Sequence, residues 1–215
     1  LLLINTIAHA DDVVIGQQFE HTSLGPHTEY LEDKKGSLDL SDVMATQLDN
    51  LWLKNHEEAP NFGFSDSVYW FRTKITTAEH HPQKLILELR YPLLDKLEVI
   101  LIPENTATQH WVMGDSQDFY LRPVIHRHYV TPFTPAMGET WIYLKIQSSS
   151  PIQLPLTLWS EDKFHEQDQQ STIVQGAYFG IMLIIIGYNL LIYAFSAARS
   201  YLYYIFYVLS LATFM

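Results

Sequence analysis

The stretch best suited to hold a ligand is Tyr69-Trp70-Phe71-Arg72. Successive side chains alternate in an extended strand, so Trp70 and Arg72 share one face and Tyr69 and Phe71 the other. An exposed Trp beside an Arg stacks on a sugar ring and hydrogen-bonds its hydroxyls. The same pattern also fits a core Trp70 with Arg72 paired to a carboxylate. Arg122 and Arg127 bracket Pro123. They are candidates for binding an acidic sugar or another anion, because guanidinium holds a carboxylate through two parallel bonds. Structural ion pairs are the alternative in a chain with 24 acidic residues. His126 and His128 share a face in a strand and make a two-ligand metal arm. No third His or carboxylate has matching spacing, and His80-His81 point apart if extended, so neither a metal nor another cofactor is expected. Glu88, Asp95 and Glu98 are carboxylates of the kind that hydrolyse glycosides in pairs, but their separation is not a property of sequence. No Gly-x-Ser-x-Gly, phosphate loop or His-Glu-x-x-His occurs, so this stretch of chain is not expected to be an enzyme.

Strands must position these residues. Val68–Thr76, Lys84–Tyr91, Lys96–Ile102, Ile125–Val130, Thr140–Gln147 and Leu154–Trp159 are rich in Val, Ile, Leu, Thr and aromatics. Leu85, Leu87 and Leu89 alternate with Ile86, Glu88 and Arg90. Prolines, glycines and Asn105 punctuate the gaps. Short strands between turn clusters predict an all-β jelly roll or β-sandwich. Val43, Met44, Gln47, Leu48 and Leu51 lie at helical spacing, with Asp39 or Ser41 as cap. Tyr91-Pro92-Leu93-Leu94-Asp95 and Gly114-Asp115 read as turns.

Charge divides the chain in two. The net formal charge is −11, yet all 24 Asp and Glu lie at or before Asp168, and Arg199 is the one basic residue after Lys163. An acidic domain with no Lys/Arg run argues against nucleic acid as a partner. There is no cysteine, which excludes disulfides and thiolate sites.

Both ends carry membrane signals. Residues 1–10 combine an apolar stretch with Ala8-His9-Ala10, the pattern of a secretory signal and its cleavage site. They are expected to be the remnant of a signal peptide, which places Asp11 onward outside the cytoplasm. No charged side chain lies between Gln169 and Ala198. A bilayer core takes about 20 apolar residues as a helix, so about 172–196 is expected to span, after a short linker, with part of a second span at about 201–215. Arg199 between the spans puts that turn in the cytoplasm. Gly176-x-x-x-Gly180 lets helices approach closely, and Tyr188 and Asn189 are polar at mid-depth and expected to face a bundle interior.

Several stretches in order resemble one bacterial family: EYLEDKKGSLDLSDV (29–43), VYWFRTKI (68–75), LILELRYPLLDKLEVILI (85–102), MGDSQDFYLRPVIHRHYVTPF (113–133), LKIQSSSPIQLPLTLWSEDKF (144–164), GAYFGIMLIIIGYNLLIYAF (176–195) and ARSYLYYIFYVLS (198–210). The family is the seven-transmembrane receptors with diverse intracellular signalling modules. The front resembles their type-2 extracellular sensor domain and the tail the start of their seven-helix region. The resemblance implies a periplasmic jelly roll over residues 11–165, similar to carbohydrate-binding modules, and linker plus helices over 166–215. It implies the input half of an inner-membrane receptor with a cyclase or kinase output further along the chain. Expected partners are the membrane and a periplasmic small-molecule or glycan ligand, with a homodimer as a further expectation. A membrane-tethered glycan- or protein-binding module without output is the second reading.

Overall fold

The computed structural model describes residues 12–77 and 84–213. The signal-peptide expectation for residues 1–10 and the His80-His81 pair lie outside the described residues. Thirteen strands are described: β1 Val13–Ile15, β2 His21–Ser23, β3 Glu29–Asp33, β4 Leu53–Lys54, β5 Asn61–Gly63, β6 Val68–Thr77, β7 Leu85–Leu89, β8 Lys96–Pro103, β9 Gln109–Met113, β10 Tyr129–Phe133, β11 Gly138–Gln147, β12 Ile152–Gln153 and β13 Leu156–Ser160. Three helices accompany them: α1 Leu40–Val43, α2 Glu161–Ser196 and α3 Arg199–Thr213.

The larger sheet runs β4-β3-β6-β11-β8-β9, and the smaller runs β10-β7-β13-β2. β12 and β5 form a separate two-stranded pair. All pairings are antiparallel except that of β1, which runs parallel to β6 in the register Val13↔Ile75. β3 takes the first half of the same β6 edge, Glu29↔Arg72 to Asp33↔Val68, while β11 fills the other edge.

The two sheets enclose one apolar core. Tyr69, Phe71, Leu97, Val99, Leu144 and Ile146 come from the larger sheet, and Leu85, Leu87, Leu89, Leu156 and Leu158 from the smaller. This is the sandwich that the alternation in the sequence predicts: every second residue of β6 and β7 points between the sheets. The other face of the larger sheet carries a second, smaller core of Leu31, Val68, Trp70, Ile100 and Tyr143. Val43 and Trp52 from the 38–52 segment cover it. That segment begins with a capping box: Asp39 accepts from the Asp42 N–H, and Asp42 accepts from the Asp39 N–H. The helical spacing after Ser41 yields only the four-residue α1, followed by a 3-10 turn at Thr46–Leu51.

The turn motifs meet at one corner. Asp95 Oδ2 accepts from the Ser149 N–H at 2.7 Å, and the Ser116 hydroxyl donates to the Asp95 carbonyl at 2.6 Å. Asp115 N–H donates to Leu94 O at 2.7 Å, and the Tyr129 hydroxyl sits 2.9 and 3.0 Å from the Pro92 and Leu94 carbonyls. Gly114 has φ +152°, and a Cβ there would fall onto the Asp95 backbone carbonyl, so this close approach requires glycine.

The expected strand at Ile125–Val130 is shifted. β10 starts at Tyr129, because Arg122 Nη1 donates to the His126 carbonyl at 3.2 Å and ties residues 122–126 into a loop. Pro132 lies within β10, which is an edge strand of the smaller sheet and tolerates a missing N–H.

The chain divides into two compact units, with the boundary at Lys163–Phe164. The segment expected to link the sandwich to the first span is helical: α2 starts at Glu161, the residue after β13 ends, and runs for 36 residues. It is long and apolar enough to cross a membrane. Its apolar side chains are exposed all round, Leu183 and Ile184 among them, as in a helix whose solvent is lipid. Gly176, Gly180 and Gly187 have no atom within contact distance of an added Cβ. The Asn189 side chain donates to Ile185 O at 2.8 Å within its own helix.

Candidate functional site

The structure divides the four residues that the sequence singles out into two pairs, one on β6 and one in the β9–β10 connection. Trp70 is 1% exposed and Arg72 4% exposed. They share a face of β6, as the alternation predicts, but that face is the second core. Arg72 Nε donates to Glu29 Oε2 at 2.8 Å, and Arg72 Nη1 to Asp49 Oδ1 at 2.9 Å. Its guanidinium lies 4.4 Å from the Trp52 ring centre and 5.6 Å from that of Trp141. The open Trp/Arg stacking platform is therefore corrected: the 38–52 segment covers it, and two carboxylates and two indoles occupy the guanidinium. Arg122 lies in the β9–β10 connection. Its guanidinium packs 4.6 Å from Phe119 and 4.5 Å from Tyr129, and besides the His126 carbonyl bond it leaves Nε buried without a partner. Arg127 is exposed in the same loop.

A pocket of about 300 Å³ opens beside the buried Trp70, on the outer face of the larger sheet. Trp70, Lys145 and Glu98 stand side by side on β6, β11 and β8. Ile100 and His110 form the next rung, and Asp39, Leu40 and Thr108 complete the wall. Lys145 Nζ lies 4.9 Å over the Trp70 ring and donates to Leu38 O at 3.1 Å. Glu98 accepts from Lys96 Nζ at 2.9 Å and lies 3.1 Å from His110 Nε2. Burial pushes the Glu98 carboxyl up, but the Lys96 ammonium, with His110 and Lys145, outweighs it and holds it below its ordinary value. The pocket thus presents an apolar floor with an ammonium, a carboxylate and an imidazole converging on it, the makeup of a site for a small polar ligand. Sequence reasoning missed Lys145, His110, Thr108 and Asp39. Only the register joins them, and a strand's sequence does not contain its register.

The opposite side of the sandwich holds a second polar cluster. Glu88 is 3% exposed and projects from the outer face of the smaller sheet. Its Oε2 accepts from Arg90 Nε and from Trp159 Nε1, both at 2.9 Å, and its Oε1 lies 2.7 Å from His128 Nδ1. Burial raises this carboxyl, and the contacts with His128 and Arg90 more than reverse the effect. Trp159 in turn stacks on His21 with ring centres 4.7 Å apart. Glu88 and Glu98 sit on opposite outward faces, with two sheets about 10 Å apart between them. They cannot act as the carboxylate pair of a glycosidase, whose members stand about 5–9.5 Å apart. Asp95 is committed to its turn.

A β-sandwich carrying a polar pocket, followed by a helix of membrane-spanning length, defines a membrane-attached recognition domain. Residues 25–160 match the family described as 7TMR-DISM extracellular 2, and residues 171–215 match 7TM diverse intracellular signalling. The chain belongs to this family of membrane sensor receptors, whose N-terminal domain is extracellular. No curated protein matches it. Solved structures similar to it include TmCBM61 in complex with β-1,4-galactotriose, at 10% identity and TM-score 0.38, over 64% of this chain and 92% of that one. A Bacillus thuringiensis Cry1Da tryptic core variant is similar at 14% identity and TM-score 0.29, over 47% of this chain and 20% of that one. At these scores neither bears on what this chain binds.

Proposed function

We propose that this chain is the input portion of a bacterial inner-membrane receptor whose periplasmic sandwich, residues 11–165, binds a small carbohydrate-like ligand in the pocket beside Trp70. The observation that carries this reading is the convergence of Lys145, Glu98 and His110 over an apolar floor. Sugars present hydroxyls to such polar groups and an apolar ring face to such a floor. Trp70 supplies the floor from below, and Arg72 holds the cover in place through Asp49. Arg122 shapes the β9–β10 loop, and exposed Arg127 remains a candidate for an anionic ligand group.

A ligand signals only if it binds one conformational state better than another. This pocket supplies the means, because its wall comes from more than one element. Asp39 and Leu40 belong to the 38–52 cover, Thr108 to the loop before β9, and the rest to the sheet. A ligand touching both favours the arrangement in which cover and sheet fit it. β13 continues into α2 without a loop, so a shift of that strand has a helical route into residues 166–215, where the receptor's seven-helix region begins. Output lies in a signalling module further along the protein.

The test is a thermal-shift screen of neutral and acidic mono- and oligosaccharides against the detergent-solubilised chain, followed by titration of Lys145→Ala and Glu98→Gln. A saccharide that stabilises the chain and loses at least about tenfold in affinity on either substitution, as a lost charged hydrogen bond does, supports the reading. Stabilisation by no saccharide, or binding by both variants as tight as by wild type, sinks it.

A further inference from the structure

On the side of the sandwich away from the pocket, we propose that Glu88, His126 and His128 form a binding site for a divalent transition cation of the zinc type. Each residue offers one ligand atom, and these atoms all lie within 4.8 Å of one another. The folded chain assembles them from two places: Glu88 stands on β7, and the histidines stand on the loop that Arg122 clips just before β10. Their rings lie 5.2 Å apart and nearly perpendicular, edge to face.

Two imidazoles and one carboxylate are the donors that suit zinc and its neighbours, with a further position left for water. Zinc–ligand bonds of about 2.0–2.1 Å place tetrahedral donors about 3.4 Å apart, so the spread must contract by small turns of the two half-buried rings. The Glu88 carboxylate is held for this role. Arg90 and Trp159 both bind Oε2, which fixes the group and leaves Oε1 facing His128. The 2.7 Å contact between Oε1 and His128 Nδ1 is a hydrogen bond that metal binding would rearrange. With Glu88 and His128 both as ligands, the metal takes the place of that proton and releases it. His126 Nδ1 accepts the His128 N–H at 3.1 Å, a backbone bond that its ring gives up or keeps according to which nitrogen binds. Arg90 is the opposing influence, a second positive charge near the cation, so the site is expected to be of moderate affinity.

The chain contains ten histidines and no cysteine, so the probe must distinguish this cluster from scattered surface imidazoles. Cobalt(II) does so through its visible d–d absorption. The detergent-solubilised chain is titrated with cobalt(II) and then with zinc(II), alongside His126→Ala/His128→Ala. The expected result is a d–d band that saturates at one equivalent and is displaced by zinc. The double variant, shown to be folded by an unchanged circular dichroism spectrum in the absence of metal, should lose at least about a hundredfold in affinity, beyond the loss from disturbing an outer partner alone. Glu88 also anchors Arg90 and Trp159, so the histidine pair, not Glu88, is the deciding substitution. No d–d band, or a band that persists with unchanged affinity in the double variant, overturns the proposal. Failure here leaves the pocket reading untouched, because the two sites share no residue.

Discussion

Arg72 shows how a residue suited to ligand binding is recruited to structure instead. It is buried with Glu29 and Asp49 as partners and two indoles around it. Replacing Arg72 with Ala leaves Glu29, itself 5% exposed, as a buried and uncompensated carboxylate, a loss of about 3–5 kcal/mol. Urea unfolding of Arg72→Ala against wild type measures it. A cost near zero would mean that the pair is solvated rather than buried. Trp70→Ala is expected to cost a similar amount, about 3–5 kcal/mol, through the cavity it leaves. Glu98 makes a different prediction. Its folded-state carboxyl titrates below the ordinary value of 4.5, so the stabilisation it provides is complete above that value and is lost as pH falls through the lower folded-state value. The melting temperature of wild type should therefore drop relative to Glu98→Gln across the acid limb below about pH 4.5, while the difference between them stays constant at neutral pH.

The corner where three turns meet is the feature that explains why otherwise bland motifs recur together in this chain. Tyr91-Pro92 with Asp95, Gly114-Asp115 and Ser148–Ser150 are far apart in sequence, yet they lock onto one another through Asp95. Gly114→Ala should be destabilising by about 1–3 kcal/mol, because the new methyl meets main-chain carbonyl rather than a side chain that can move. Calorimetry of that variant checks it, and neutrality would show that the corner yields. The longer strands were legible because alternation needs no partner: β6, β8 and β11 start or end within two residues of where their apolar pattern predicts. The two- and three-residue strands β1, β2, β4, β5 and β12 were not, since pairing alone defines elements too short to show a period. The sequence left Trp70 open to both an exposed and a core reading, for a related reason. A half-polar strand face reads as open until a separate segment, here 38–52, is seen to fold over it. The Glu88–His126–His128 cluster was hidden because spacing cannot bring a carboxylate forty positions away beside a histidine pair.

At the scale of the molecule, the segregation of charge along the chain is enough to mark its membrane half. α2 carries its acidic and basic residues only in its first turns and exposes Leu183, Ile184 and Leu191. The chain should stay in the membrane pellet after an alkaline carbonate wash, and in spheroplasts its N-terminal domain should be open to added protease. Release by carbonate, or full protection, would contradict the reading. The parallel pairing of β1 with β6 has a consequence for how the chain comes to be folded. Val13 is made well before its partner Ile75, which follows only after β2 to β5 have appeared. A ribosome delivers residues at about 5–20 per second, whereas hairpins close within about 1–10 μs. The first strand therefore spends seconds as a strand without a sheet, waiting for an edge that does not yet exist. The step that seals the larger sheet is tied to the clock of synthesis rather than to the chain's own speed, and until then Val13–Ile15 has no β6 edge to pair with.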